Sequence, residues 1–218
     1  MNNNDQILEQ LINVPHDSGS MEGLLKIPPY ASALVLFAHG SGSSRFSPRN
    51  NFVANILNEV GLASLLIDLL SKKEDEIYQT RFDINLLAER LNKVVQWLTT
   101  QKLTKSLVIG LFGASTGAAA ALHVAAKWPD SIKAVVSRGG RPDLAMNILE
   151  KVIAPTLLIV GGNDGMVIEL NQAAYEKLNC PKKMNIIPHA THLFEEAGCL
   201  EEVAKQAKLW FNQYLQTN

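Results

Sequence analysis

From about Leu34 onward, short apolar runs alternate with longer stretches of helical period. That alternation predicts repeated βαβ units around a parallel sheet. The runs Leu34–Ala38, Ala63–Ile67, Ser106–Phe112, Ile132–Val136 and Thr156–Val160 lack a polar residue at every second position, as expected of strands covered on both faces. A further strand is expected at Met184–Ile187. Between these runs, Ile84, Leu87, Leu91, Val94, Val95 and Leu98 recur at three- and four-residue intervals, which predicts an amphipathic helix with one buried stripe. Val203, Ala207, Trp210, Phe211 and Tyr214 predict a C-terminal helix in the same way. Ahead of the alternation, Ile7–Val14 and Met21–Ile27 flank the polar cluster Pro15–Ser20. Residues 1–30 are therefore expected to form an antiparallel hairpin leading into the sheet, ended by Pro28 and Pro29. The charge run Lys72–Glu76 reads as a solvated loop. With no repeat and no linker, the expectation is an α/β fold in a single domain over 1–218.

Composition narrows the possible partners. The 218 residues are 47% hydrophobic and 19% charged, enough for one domain with a substantial core. A formal charge of -1 leaves no basic stripe for phosphate backbones, so no nucleic-acid partner is expected. Cys180 and Cys199 fit neither a disulfide framework nor a C-x-x-C spacing, which points to a reducing compartment. The N-terminus lacks a basic stretch followed by an apolar one. The longest apolar runs reach roughly eight residues, against the ~20 of a membrane helix. A cytoplasmic chain with a small-molecule substrate and no membrane contact is the expectation. An oligomer through an edge strand or the C-terminal helix remains open.

The chemistry concentrates in Gly113-Ala-Ser-Thr-Gly117, which follows an apolar strand and precedes a run of helix-forming alanines. A serine on such a strand-to-helix turn stands exposed on strained backbone, beside the N–H groups of the helix start. Serine needs a base, and in this arrangement an acid and then a histidine should follow in chain order. Thr156–Asp164 is a strand running into a Gly-Gly turn that ends on Asp164, and Met184–His192 is a strand and turn ending on His192. Open α/β sheets gather ligands at this strand edge. His189 competes with His192 and is the less favoured base; His39 and His123 are out of order. Asp164 could also cap a helix beginning near Val167. Phe37–Gly42 closes an earlier strand, so the N–H of Ser41, with that of Thr116, is the candidate oxyanion-hole pair.

The segments His39–Gly42, Gly113–Gly117, Gly161–Asp164 and Thr191–Phe194 together resemble α/β-hydrolases of the dienelactone hydrolase-like group, over about Leu34 to Leu215. Ala38–Arg45 with Ser47–Asn50, Ser137–Asp143 and Ala190–Glu196 are similar, more narrowly, to a bacterial subfamily of small hydrolases sometimes fused to phosphoribosyltransferase domains. The resemblance implies an α/β-hydrolase fold: a mostly parallel eight-stranded sheet with helices on both faces and no large cap domain. It implies a Ser115–Asp164–His192 triad cleaving a small ester or lactone, and no metal or organic cofactor. Three departures stand out. The nucleophile position holds Ser115 where dienelactone hydrolases proper use cysteine. Phe46 and Asn51 replace more polar or basic residues, and His189 stands where glycine is usual. A thioesterase, an acyltransferase and a non-catalytic small-ligand receptor are alternatives on the same fold.

Arginines cluster in the loops expected at the catalytic edge. Arg45, Arg49, Arg138 and Arg141, with His39, are candidate substrate-binding residues, and guanidinium groups there would suit an anionic substrate. The competing expectation is that each arginine pairs with an acid such as Asp143 or Asp83. Arg81 could belong to either group. The Ser137–Ala154 segment leaves room for one short helix, which predicts a small, open pocket.

Overall fold

A computed structural model describes residues 6–17 and 19–215. Ser18 of the expected turn, and the ends of the expected 1–218 domain, lie outside the described residues. Eight strands form one sheet in the order β1-β2-β4-β3-β5-β6-β7-β8. They are β1 (Leu8–His16), β2 (Gly19–Ile27), β3 (Ala33–Ala38), β4 (Ala63–Ile67), β5 (Val108–Ala114), β6 (Ile132–Arg138), β7 (Thr156–Gly161) and β8 (Lys182–Ile187). The hairpin β1–β2 is antiparallel and joins β4 antiparallel, while β4, β3, β5, β6, β7 and β8 run parallel. The helices are α1 (Pro48–Glu59), α2 (Lys72–Asp75), α3 (Ile84–Leu98), α4 (Thr116–Lys127), α5 (Gly165–Lys177) and α6 (Cys199–Leu215).

The sheet divides the core in two. In β3, Leu34, Leu36 and Ala38 pack with α3 and α4, whereas Ala33, Val35 and Phe37 pack with α1 and α6. Both sets are buried, which is why the strand shows no polar alternation. On α3 the apolar stripe Leu87, Leu91, Val94, Val95 and Leu98 is sealed, and Asp83 caps the helix by accepting the Leu86 N–H. Truncating a sealed leucine of this kind, such as Leu91, costs about 2–5 kcal/mol.

Three local expectations need correction. The charge run is the helix α2, with a reciprocal capping box between Ser71 and Glu74. Glu74 also pairs with Arg90 at 2.8 Å, so the run is anchored to α3 rather than freely solvated. β5 begins at Val108, because Leu107 N–H turns back to the Thr104 carbonyl and the Val108 N–H takes the Ser32 carbonyl. The hairpin strands run into the polar cluster, through Pro15 paired with Ser20 and His16 paired with Gly19. The Ser137–Ala154 segment carries two 3-10 turns, Pro142–Ala145 and Leu149–Lys151, and no cap domain. Among the described residues no helix is long and apolar enough to cross a membrane.

Candidate active site

β5 ends at Ala114, α4 starts at Thr116, and Ser115 makes the turn between them with φ 51° and ψ -120°. A side chain is strained there, and the fold holds it by close packing on both sides. A Cβ on Gly117 would overlap the carbonyl oxygens of Ala38 and His39, and one on Gly113 would overlap the Ala118 backbone. The two glycines thus let β5, α4 and the end of β3 meet around the serine. Ser115 N–H donates to the Arg138 carbonyl, and the Ser115 carbonyl accepts from Arg141 and Ala118. Its hydroxyl has no hydrogen-bond partner among the described residues.

β7 and β8 deliver the acid and the base. Asp164 sits at the N-cap position of α5, yet its carboxylate makes no capping bond. It accepts instead from His192 Nδ1 at 2.6 Å. That bond presents the other ring nitrogen, Nε2, for proton transfer. The loop before His192 is pinned by Thr191 N–H donating to Glu196 and by Asn163 Nδ2 donating to the His189 carbonyl. His189 has φ 64°, in the left-handed region where glycine is most at ease. The His192 ring lies against Gly139, whose chain neighbour Arg138 carries the carbonyl bonded to Ser115. The structure closes the Asp164–His192 bond; a Ser115–His192 hydrogen bond is not formed.

Thr116 is the first residue of α4, and its N–H is one of the donors a helix start leaves over. Neither this N–H nor that of Ser41 has a partner among the described residues. The Ser41 loop is braced. Asn51 Nδ2 donates to the Arg45 and Ser47 carbonyls, and Phe46 is exposed with the Arg45 guanidinium over its ring. His39, expected as a substrate contact, is instead part of the frame. It is buried, its Nε2 accepts the Leu69 N–H at 3.1 Å, and its Nδ1 donates to the Gly40 carbonyl. Both ring nitrogens are used.

The arginines separate into two kinds. Arg45 is paired with Asp68 and Glu22, Arg49 with Glu195 at 2.7 Å, and Arg141 with both carboxylate oxygens of Asp143. Arg81 binds Asp75, whereas Asp83 serves as a helix cap. Four free guanidinium groups around one cleft are therefore not what the structure contains. Arg138 differs from all of these: it is buried, has no acidic partner among the described residues, and its Nη2 donates to Asn50 Oδ1 at 3.0 Å. Burial first, and Arg49 second, bring its pKa down to about 10. Among the described residues no group of three or more His, Cys, Asp or Glu side chains could hold a metal ion.

The model of the dienelactone hydrolase family matches residues 34–217. The chain belongs to the dienelactone hydrolase family. The crystal structure of dienelactone hydrolase from Anabaena variabilis shares 53% identity and a TM-score of 0.94, covering 97% of this chain and 100% of that one. Est1E from Butyrivibrio proteoclasticus has the same fold, with a TM-score of 0.80 at 19% identity over 93% of this chain and 98% of that one. Two Mycobacterium tuberculosis proteins provisionally named phosphoribosyl transferases are 54% identical over 193 residues, 88% of this chain and 44% of theirs. The chain thus spans less than half the length of these curated relatives. Family membership and fold make the chain hydrolase-like.

Four residues of this dienelactone hydrolase family site were given no role by the sequence, although Asn50, Phe194 and Glu195 lie inside segments that carry the resemblance. Asp68 and Glu195 neutralise arginines 23 and 146 positions away in the chain. Asn50 and Phe194 form the surroundings of Arg138. Phe194, with φ 57°, could have been singled out only as the second residue after the histidine.

Proposed function

We propose that this chain is a serine hydrolase cleaving a small ester or lactone. The observation that carries the reading is the Ser115 turn, strained at φ 51° between β5 and α4, at the sheet edge where His192 Nδ1 meets Asp164 at 2.6 Å. In this reading His192 Nε2 takes the Ser115 proton as Oγ attacks the carbonyl carbon. The tetrahedral oxyanion receives the N–H groups of Thr116 and Ser41, which need no reorientation as charge develops. His192 returns the proton to the leaving alcohol, and water then repeats the cycle on the acyl-enzyme. Asp164 holds the imidazole in the tautomer that presents Nε2 and stabilises the imidazolium. With no cap domain a small, open pocket is expected, which would suit short acyl groups.

The phosphoribosyl transferase name of the curated relatives attaches to chains more than twice the matched length. We assign transferase chemistry to the part of those chains outside the 193 matched residues. The test is intact mass after incubation with a fluorophosphonate. A single adduct on the native protein and none on Ser115→Ala is the expected result. A folded native protein that takes no adduct would refute an activated Ser115.

A further inference from the structure

Among the described residues, Arg138 is a buried charge without a counter-charge. Its side chain leaves the end of β6 on the α1 and α6 face and is 6% exposed. Its side-chain hydrogen bond among the described residues goes to a neutral acceptor, Asn50 Oδ1, and its guanidinium lies 5.9 Å from the Phe194 ring centre. Nε is sealed and has no acceptor, while Nη1 is neither sealed nor bonded. Buried cations are ordinarily paired, because desolvation without an anion is costly. Beside it stands Arg49, on the first turn of α1, which carries no acidic residue. Arg49 gives Nη1 to Glu195, and its Nε is also sealed without an acceptor. Glu195 thus answers Arg49 alone, and that carboxylate is 62% exposed. The surface groove of about 400 Å³ lined by Arg49 and Glu195 also carries Glu196 and Glu201. Glu196 holds the Thr191 N–H, and among the described residues neither acid pairs with Arg138.

We infer that Arg138 and Arg49, at the N-terminal turn of α1, form a seat for a phosphate monoester group of the substrate, with Glu195 occupying Arg49 until the ligand arrives. The seat adjoins the catalytic turn, since the Arg138 carbonyl accepts the Ser115 N–H at 3.3 Å. The inference rests on the hydrolase reading only in naming the ligand as substrate. Phosphate fits better than carboxylate because the unsatisfied donors belong to two guanidinium groups on different elements. A carboxylate offers two coplanar oxygens, which one guanidinium already satisfies. A tetrahedral phosphate offers three outward oxygens and favours the positive end of a helix.

Inorganic phosphate is the probe, titrated against the native protein with the thermal midpoint and heat of binding as readouts at constant ionic strength. Saturable stabilisation by phosphate, and none by acetate, is expected. Arg49→Gln should weaken binding by about tenfold or more, the loss of one charge-assisted contact. Glu195→Gln should tighten it, since the competing carboxylate is gone. Arg138→Gln should abolish it; should that variant not fold, the Arg49 and Glu195 variants decide. No saturable effect, equal stabilisation by acetate, or weaker binding in Glu195→Gln would each overturn the seat. Phosphate binding by a protein that takes no fluorophosphonate would refute the hydrolase reading and leave the seat standing. An adduct without phosphate binding would do the reverse.

Discussion

Strain at Ser115 can be weighed by removing the hydroxyl in two ways. At φ 51° and ψ -120° only glycine is comfortable, and a side chain there costs about 1–3 kcal/mol. Ser115→Ala deletes the nucleophile and keeps the Cβ, hence the strain. Ser115→Gly deletes both. Against this gain, glycine loses about 0.5–1 kcal/mol more backbone entropy on folding. The difference favours Ser115→Gly over Ser115→Ala by roughly 1 kcal/mol. For a chain of this size that is a rise of about 2–4 °C in thermal midpoint. Reversible calorimetric melts of the two variants at one pH would measure it, and neither should hydrolyse esters. Ser115→Gly melting at or below Ser115→Ala would mean that the turn stores no strain, and the argument that the fold enforces the nucleophile's exposure would fail.

Two further outcomes follow from the same geometry. Asp164→Asn leaves the shape of the site intact and removes the acceptor that fixes His192, so kcat/KM for ester hydrolysis should fall by about 10³–10⁴-fold with an unchanged melting curve; a loss below about tenfold would dismiss that role for Asp164. His16 and His123 are both held below the ordinary value of 6.5, chiefly by burial, with Arg90 adding to the effect on His16. The unfolded chain therefore binds protons that the folded chain does not as pH falls below 6.5. Their contribution to stability is fully present above that pH and is lost on acidification. Urea midpoints should drop from neutral to mildly acidic pH, and the double variant His16→Gln, His123→Gln should show a shallower drop. A drop as steep as in the native protein would refute it.

What was legible in the sequence was what neighbouring residues decide. The strands β3, β4 and β7 are buried throughout and almost wholly apolar because both faces are covered, so composition within five or six residues located them. The stripe of α3 and the glycines around Ser115 carry their meaning over similarly short spans. His189 shows how far such reading extends: a departure from glycine in the sequence marks a residue held at φ 64° in the structure. Polar ends of elements were harder. Ser137 and Arg138 continue β6 because the ladder to β5 and β7 continues, and no side-chain pattern encodes that. Lys72–Glu76 looked like a loop because the capping box of α2 and the bond from Glu74 to Arg90 depend on geometry and on a helix further along the chain.

The arginines mark the boundary most clearly. Their presence near the catalytic edge was readable, but the partner that cancels each charge was not. Arg141 has its acid two residues away and could be paired on paper; Arg45 and Arg49 find theirs across 23 and 146 residues. Arg138 is told apart from the others only by a partner it lacks, and the lack of a counter-charge appears only once every neighbour is in place. That is why a count of positive charges suggested an anionic substrate contacting many arginines. The packed chain concentrates the uncompensated charge at one residue beside the nucleophile, with Arg49 and its exposed carboxylate as the adjustable part. Specificity for a charged substrate would then rest on exchanging one carboxylate for a phosphate, a smaller demand on the fold than holding four free guanidinium groups apart.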